Sequence, residues 1–136
     1  MSEVLAGAPD EVVTNAILRM VSLSPFGHNG ELALITLDNG ADHTRPNTFG
    51  PASLNALSSA IDQAQKTDAV AIAVTGKPFI FAAGADLSGV GAVKDISVAT
   101  AIGELGHEVF LKLHESKKPT FAFINGLALG GGLEVG

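Results

Sequence analysis

Six consecutive residues, Ala69-Val70-Ala71-Ile72-Ala73-Val74, are apolar on both parities. A strand made of them must be covered on both faces, as the strands of parallel sheets usually are. Parallel strands need long crossovers, and the flanking segments supply them. Pro51 suits the first turn of a helix in which Leu54, Leu57, Ile61 and Ala64 recur at helical spacing up to about Lys66. A second helix is expected from about Val98 to Glu115. Ile102, Leu105, Val109, Phe110 and Leu113 mark its apolar face, and Ser116-Lys117-Lys118-Pro119 ends it.

Further strands fit around these helices. Leu32 to Leu37 is one, closed by the turn Asp38-Asn39-Gly40. Another lies within Val12 to Leu23, with Ile17, Arg19, Val21 and Leu23 on one parity, and pairs with it through the connection from Pro25 to Glu31. Thr120 to Ile124 forms a third, Gly76-Lys77-Pro78 and Asn125-Gly126 read as turns, and a helix starts from Gly130. Strands alternating with helices give an α/β order. Right-handed crossovers then place ligands at the carboxyl ends of the strands.

With 46% hydrophobic and 16% charged positions in 136 residues, the chain can bury one core. Residues 1–11 read as a flexible lead-in and 12–136 as one soluble domain. The chain has no cysteine, which excludes disulfides and thiolate metal sites and fits a reducing interior, so a cytoplasmic location is expected. A net charge of -6 with only 8 lysines and arginines argues against a nucleic-acid or anionic-lipid footprint. No apolar run approaches the roughly 20 residues of a membrane span. The first residues, with Glu3, Asp10 and Glu11, lack the basic start of an export signal.

Two glycine-rich loops carry the chemistry. Phe81-Ala82-Ala83-Gly84-Ala85-Asp86-Leu87 follows the doubly buried strand, and Gly126-Leu127-Ala128-Leu129-Gly130-Gly131-Gly132-Leu133-Glu134 follows the last one. Backbone N–H groups in side-chain-free loops can approach one oxygen closely, and a helix start adds a favourable dipole. Glu134 follows Gly131 by three residues, so if Gly131 opens the helix both face one side. Leu127, Leu129 and Leu133 are expected to make the surroundings apolar. Plainer readings exist for each residue: triple glycine also serves close helix–strand packing, Glu134 can be a solvated helix residue, and Asp86 a helix cap.

Other constellations carry less. Glu104 and His107 have Glu-x-x-His spacing, but a di-iron site needs a second copy and further glutamates, so no metal is expected. Thr75-Gly76-Lys77-Pro78 lacks both the upstream glycine and the hydroxyl of a phosphate-binding loop.

Together the two loops resemble the crotonase superfamily, which includes the enoyl-CoA hydratases and isomerases. The resemblance runs from about Leu32 to the end, with Asn47-Thr48-Phe49 standing where that family often has Asn-Ala-Leu. It implies an α/β, crotonase-like (ClpP/crotonase) fold of repeated ββα units, present as its amino-terminal portion and incomplete at its carboxyl end. It further implies that Ala85 and Gly131 supply oxyanion-binding N–H groups and that Glu134 is the first of two glutamates used by hydratases. Ala83 and Leu87 correspond to the edge of the adenine pocket, within a substrate-binding stretch that also takes in Gly84, Asp86 and Gly130. Ser88 stands where many hydratases have a phosphate-binding lysine.

The implied reaction is hydration of 2-enoyl-CoA thioesters in fatty-acid β-oxidation. Isomerisation and a non-catalytic assembly domain are the rivals. Coenzyme A enters as part of the substrate and no cofactor is implied for this chain; NAD enters only if a dehydrogenase domain follows. That extension is suggested by the likeness of Asp38 to Phe49 and of Thr75 to Phe81 to the amino-terminal part of multifunctional β-oxidation proteins. The implied partners are acyl-CoA and further copies in a trimer-based homo-oligomer. The second glutamate would lie past Gly136, so the fragment alone is expected to be inactive.

Overall fold

Strand, strand, helix is repeated three times along the chain. β1 (Asn15–Ser22), β2 (Glu31–Asp38) and α1 (Pro51–Lys66) make the first unit. β3 (Ala71–Gly76), β4 (Phe79–Ala82) and α2 (Ile96–His114) make the second, and β5 (Thr120–Phe123), β6 (Gly126–Ala128) and α3 (Gly131–Val135) the third. This computed structural model describes residues 11–86 and 96–136. The segment that Asp86 would cap as a helix lies outside the described residues.

β1, β2, β3 and β5 form a four-stranded sheet in that order. β1 runs antiparallel to β2, whereas β2, β3 and β5 are parallel, as strands joined through helices must be. Register then decides the core. Ala33 and Ile35 of β2 align with Ile72 and Val74 of β3, and their buried side chains, with that of Leu37, cluster with Leu54, Leu57, Ile61 and Ala64 of α1. Each large aliphatic side chain here contributes about 1.5–3 kcal/mol by leaving water. Val109 and Leu113 of α2 join the same cluster. Among the described residues, no helix is long and apolar enough to cross a membrane.

In β1 it is the parity of Ala16 and Leu18 that faces inward. Ala16 pairs with Leu37 and Leu18 with Ile35, so Ala16 and Leu18 pack on the core while Ile17, opposite Thr36, is 40% exposed. The partner strand sets this choice: β2 buries Ala33, Ile35 and Leu37, and directly paired residues share a face.

The start of α1 is capped from far away in sequence. Its N-cap, Gly50, has no side chain to offer. The Glu11 carboxylate instead accepts from Ala52 N–H at 3.1 Å, Ser53 N–H at 3.0 Å and the Ser53 hydroxyl at 2.8 Å. A carboxylate at this end also meets the positive pole of the helix. Glu11, which the sequence groups with the lead-in, therefore anchors the helix.

Asn125 and Gly126 do not form the expected turn. Gly126 opens β6 opposite Phe79 of β4, where a Cβ would collide with the Phe79 carbonyl. The Asn125 side chain accepts from Gly76 N–H at 3.1 Å and donates to Gly76 O at 3.1 Å and Lys77 O at 2.8 Å. These bonds tie the third unit to the second, and β4 and β6 pair in parallel as a separate two-stranded sheet.

Candidate active site

Because β4 and β6 are adjacent and parallel, the loops leaving their carboxyl ends emerge side by side. Leu129 N–H donates to Ala82 O at 3.0 Å and carries the pairing one step further. Gly84 has φ +93, and a Cβ there would stand 2.9 Å from Gly131 N and 3.0 Å from Leu129 O. The two glycine loops thus meet backbone to backbone. On the next residue of α3, Gly132, a Cβ would collide with the Ala82 carbonyl. The glycines serve this contact, which any side chain would prevent.

The loop after β4 is held along its length by residues 47–49. Ala83 N–H donates to Asn47 O at 2.8 Å, Phe49 N–H to Gly84 O at 2.7 Å, and Asp86 N–H to Phe49 O at 3.0 Å. Phe49 and Ala85 form a parallel bridge. In extended backbone successive N–H groups alternate sides. Gly84 C=O and Asp86 N–H face Phe49, so Ala85 N–H is turned away from it. Gly131 N–H belongs to the first residue of α3, where helix geometry provides no internal acceptor. Among the described residues, neither Ala85 N–H nor Gly131 N–H has an acceptor.

Glu134 lies on α3 with its N–H bonded to Gly130 O at 3.1 Å. Its Oε2 is 3.9 Å from the Cβ position of Gly131, so glycine and carboxylate share a side of the helix, as their spacing implied. The Glu134 side chain is exposed. Behind the junction Phe49 and Phe110 pack edge to face, centroids 5.6 Å apart at 71°, and the Phe110 ring reaches 3.9 Å from the Gly131 Cβ position.

Of the residues singled out from sequence, Ala83, Gly84, Ala85, Asp86, Gly130, Gly131 and Glu134 gather around this junction; Leu87 lies outside the described residues. Leu127, Leu129 and Leu133 do not enclose it, being 39%, 55% and 59% exposed. The apolar backing comes instead from the aromatic pair. Glu104 and His107 stand exposed on α2, away from these loops in the sequence and on another element.

Lys77 stands in the Gly76-Lys77-Pro78 turn. It is 4% exposed, and its ammonium donates to Asn39 Oδ1 at 2.5 Å, Ala41 O at 2.9 Å, Asp42 O at 2.9 Å and Arg45 O at 2.6 Å. These bonds gather residues 39–45 beside an open cavity of about 300 Å³ lined in part by Asp42, His43 and Phe79. The Thr44 hydroxyl, donating at 2.5 Å, holds the Asp42 carboxyl below the usual aspartate range; Thr44 N–H at 2.8 Å acts in the same direction, as do His43 and Lys77. A lysine in a Gly-Lys-Pro turn reads as solvated, and only its carbonyl partners, brought up by the fold, reveal otherwise.

Residues 27–136 match the family described as enoyl-CoA hydratase/isomerase. The fatty acid oxidation complex subunit alpha of Shewanella frigidimarina is 33% identical over 106 residues, covering 76% of this chain and 15% of that protein. The corresponding subunit of Shewanella loihica is 35% identical over 109 residues with the same coverage. The chain therefore spans about 15% of the length of these curated relatives. Among solved structures, Pseudomonas aeruginosa DspI superposes with a TM-score of 0.70 at 32% identity, over 94% of this chain and 48% of that one. Enoyl-CoA hydratase from Bacillus anthracis shares the fold, with a TM-score of 0.72 at 23% identity over 89% of this chain and 43% of that one.

Proposed function

The chain belongs to the enoyl-CoA hydratase/isomerase family, and from that premise we propose that it supplies the oxyanion-binding loops and one acid/base carboxylate of a hydratase for 2-enoyl-CoA thioesters in fatty-acid oxidation. One observation carries the reading: Gly84 meets Gly131 backbone to backbone with the Glu134 carboxylate beside them. In the proposed reaction, Ala85 and Gly131 N–H groups donate to the thioester oxygen. Negative charge grows there as the oxygen of water bonds to carbon 3. Fixed amide donors stabilise that charge without reorganising, each worth about 2.7–4 kcal/mol by the usual loss on removal. Glu134, with a carboxylate contributed from outside this chain, moves the protons so that hydrogen arrives at carbon 2 on the same face as the hydroxyl.

In this reading Ala83, Gly84, Asp86, Leu87 and Gly130 border the bound thioester, and coenzyme A arrives with the substrate as the only cofactor-derived group. The working form we propose is a trimer-based homo-oligomer in the cytoplasm. Isomerisation is the second reading, because Glu134 alone would suffice to carry a proton between carbons 2 and 4.

The deciding experiment uses the full-length gene product that carries this sequence. Glu134→Gln is expected to abolish hydration of a short 2-enoyl-CoA while leaving thioester binding intact. Unchanged hydration would remove Glu134 from the reaction. A wild-type protein that shifts 3-enoyl-CoA to 2-enoyl-CoA without hydrating it would establish the isomerase, and one that binds no acyl-CoA would point to an assembly role.

A further inference from the structure

Resting on the reading above, we propose that Asn47, seated through Asn39 by Lys77, is a positioning residue for the oxyanion-binding segment Ala83–Ala85. Asn47 is fully buried. Its amide nitrogen donates to Leu37 O at 2.8 Å and Phe81 O at 3.0 Å, its Oδ1 accepts from Asn39 N–H at 3.0 Å, and its backbone carbonyl accepts from Ala83 N–H at 2.8 Å. Leu37 ends the core run of β2 and Phe81 lies in β4, so this one amide joins the separate sheets at the point where the loop departs. It needs two donors and an acceptor on one short planar group, a set that aspartate, serine or leucine cannot reproduce.

Lys77 sets the other end of the relay. Its ammonium has three protons and four oxygen neighbours, none of them a carboxylate, so it acts by gathering carbonyls around itself. One neighbour is Asn39 Oδ1, and the N–H of the same Asn39 is the group that Asn47 Oδ1 accepts. Asn39 Nδ2 also donates to Arg45 O at 3.2 Å and Pro46 O at 3.1 Å, drawing in the residues just before Asn47. The relay thus runs from Lys77 through Asn39 and Asn47 to Ala83. Its side-chain bonds all lie on the β4 side of the junction; toward β6, Lys77 offers only its backbone carbonyl, to Asn125. On the other side, Gly131 and Gly132 sit against Gly84 and Ala82 independently of it.

Loss of the relay should therefore shift one donor relative to the other. Ground-state binding of the thioester is spread over many contacts, whereas stabilising a developing oxyanion requires both N–H groups to be aimed at one point. The consequence is a fall in turnover with little change in substrate binding.

The test uses the full-length gene product with a short 2-enoyl-CoA. A 3-ketoacyl-CoA probes the site separately, since its enolate places negative charge on the oxygen the two amides would hold. Asn47→Ala should lower kcat by about tenfold or more with KM within about threefold, and weaken 3-ketoacyl-CoA binding about tenfold while free coenzyme A, for which Ala83 is only the edge of the pocket, weakens by no more than about threefold. Lys77→Met should show the same pattern at smaller amplitude. A folded Asn47→Ala protein with wild-type kcat, or parallel loss of 3-ketoacyl-CoA and coenzyme A binding, overturns the inference. If Asn47→Ala does not fold, Lys77→Met decides by the same readouts; if neither folds, both residues act on the fold as a whole and the inference falls. A wild-type protein without hydration or 3-ketoacyl-CoA binding would instead remove the function on which this rests.

Discussion

A Cβ on Gly84 would stand 2.9 Å from the backbone nitrogen of Gly131, so the contact between the two loops exists only because residue 84 has no side chain. The backbone there also lies at φ +93, where an L side chain is strained. Both facts predict the behaviour of Gly84→Ala. The backbone conformation alone costs about 1–3 kcal/mol, and relieving the clash must part the loops. Urea denaturation of the full-length gene product should show a lowered midpoint, and the folded fraction should have lost most of its turnover. Wild-type stability in this variant would mean that the loops are not in contact.

Gly131→Pro probes the donor itself. Gly131 is the first residue of α3, a position that accepts proline's fixed φ, and its nearest neighbour is Gly84 Cα, 3.6 Å from the Cβ position. The substitution deletes one N–H and puts a ring carbon in the place of its hydrogen. If that N–H binds the oxyanion, turnover should fall about 100-fold or more. A change below about tenfold in a folded protein would remove Gly131 from that role.

What could be read ahead of the structure follows from the range over which each signal acts. The limits of α1 were legible because Pro51 and Lys66 mark them locally and the apolar period fills the interval. The loops were legible because glycine runs announce a close approach. Their convergence depends on β4 and β6 pairing, and strands of four and three residues are too short to show a period. The inward face of β1 was not legible because a partner strand, not local pattern, selects between Ile17 and Leu18. Lys77 and Glu11 gave no local sign at all. Their partners are backbone groups brought near only by the completed fold.

The Asp42–Thr44 contact predicts a pH response of definite sign. An aspartate whose folded pKa is depressed contributes stability that is present above its unfolded value, about 3.9, and is lost as pH falls through the lower folded value. For Asp42 the hydroxyl of Thr44 is the largest cause and Thr44 N–H the next. In an NMR titration the Asp42 carboxyl should therefore titrate below an unperturbed aspartate, and Thr44→Val should move its midpoint upward while the backbone bond keeps it from returning fully. The protection of the Thr44 amide against exchange, relative to its intrinsic rate at each pH, should fall across the same acidic window. An identical midpoint in wild type and variant would show that the hydroxyl contact is absent in solution.

Glu11 offers a separation of charge from hydrogen bonding at a helix start. Its carboxylate takes three donors from Ala52 and Ser53, and Gly50 has nothing with which to replace it. Glu11→Ala removes both the acceptors and the charge, and should cost about 0.5–2 kcal/mol, as loss of an N-cap does. Glu11→Gln keeps one acceptor oxygen but gives up the charge facing the helix dipole, which is worth about 0.3–1 kcal/mol at low salt. The glutamine variant should therefore fall between wild type and alanine in urea midpoint, with an unchanged slope. Its deficit should shrink as salt screens the wild-type charge, while the alanine deficit should shrink only in part. Equal midpoints for all three proteins would mean that α1 is stabilised without Glu11.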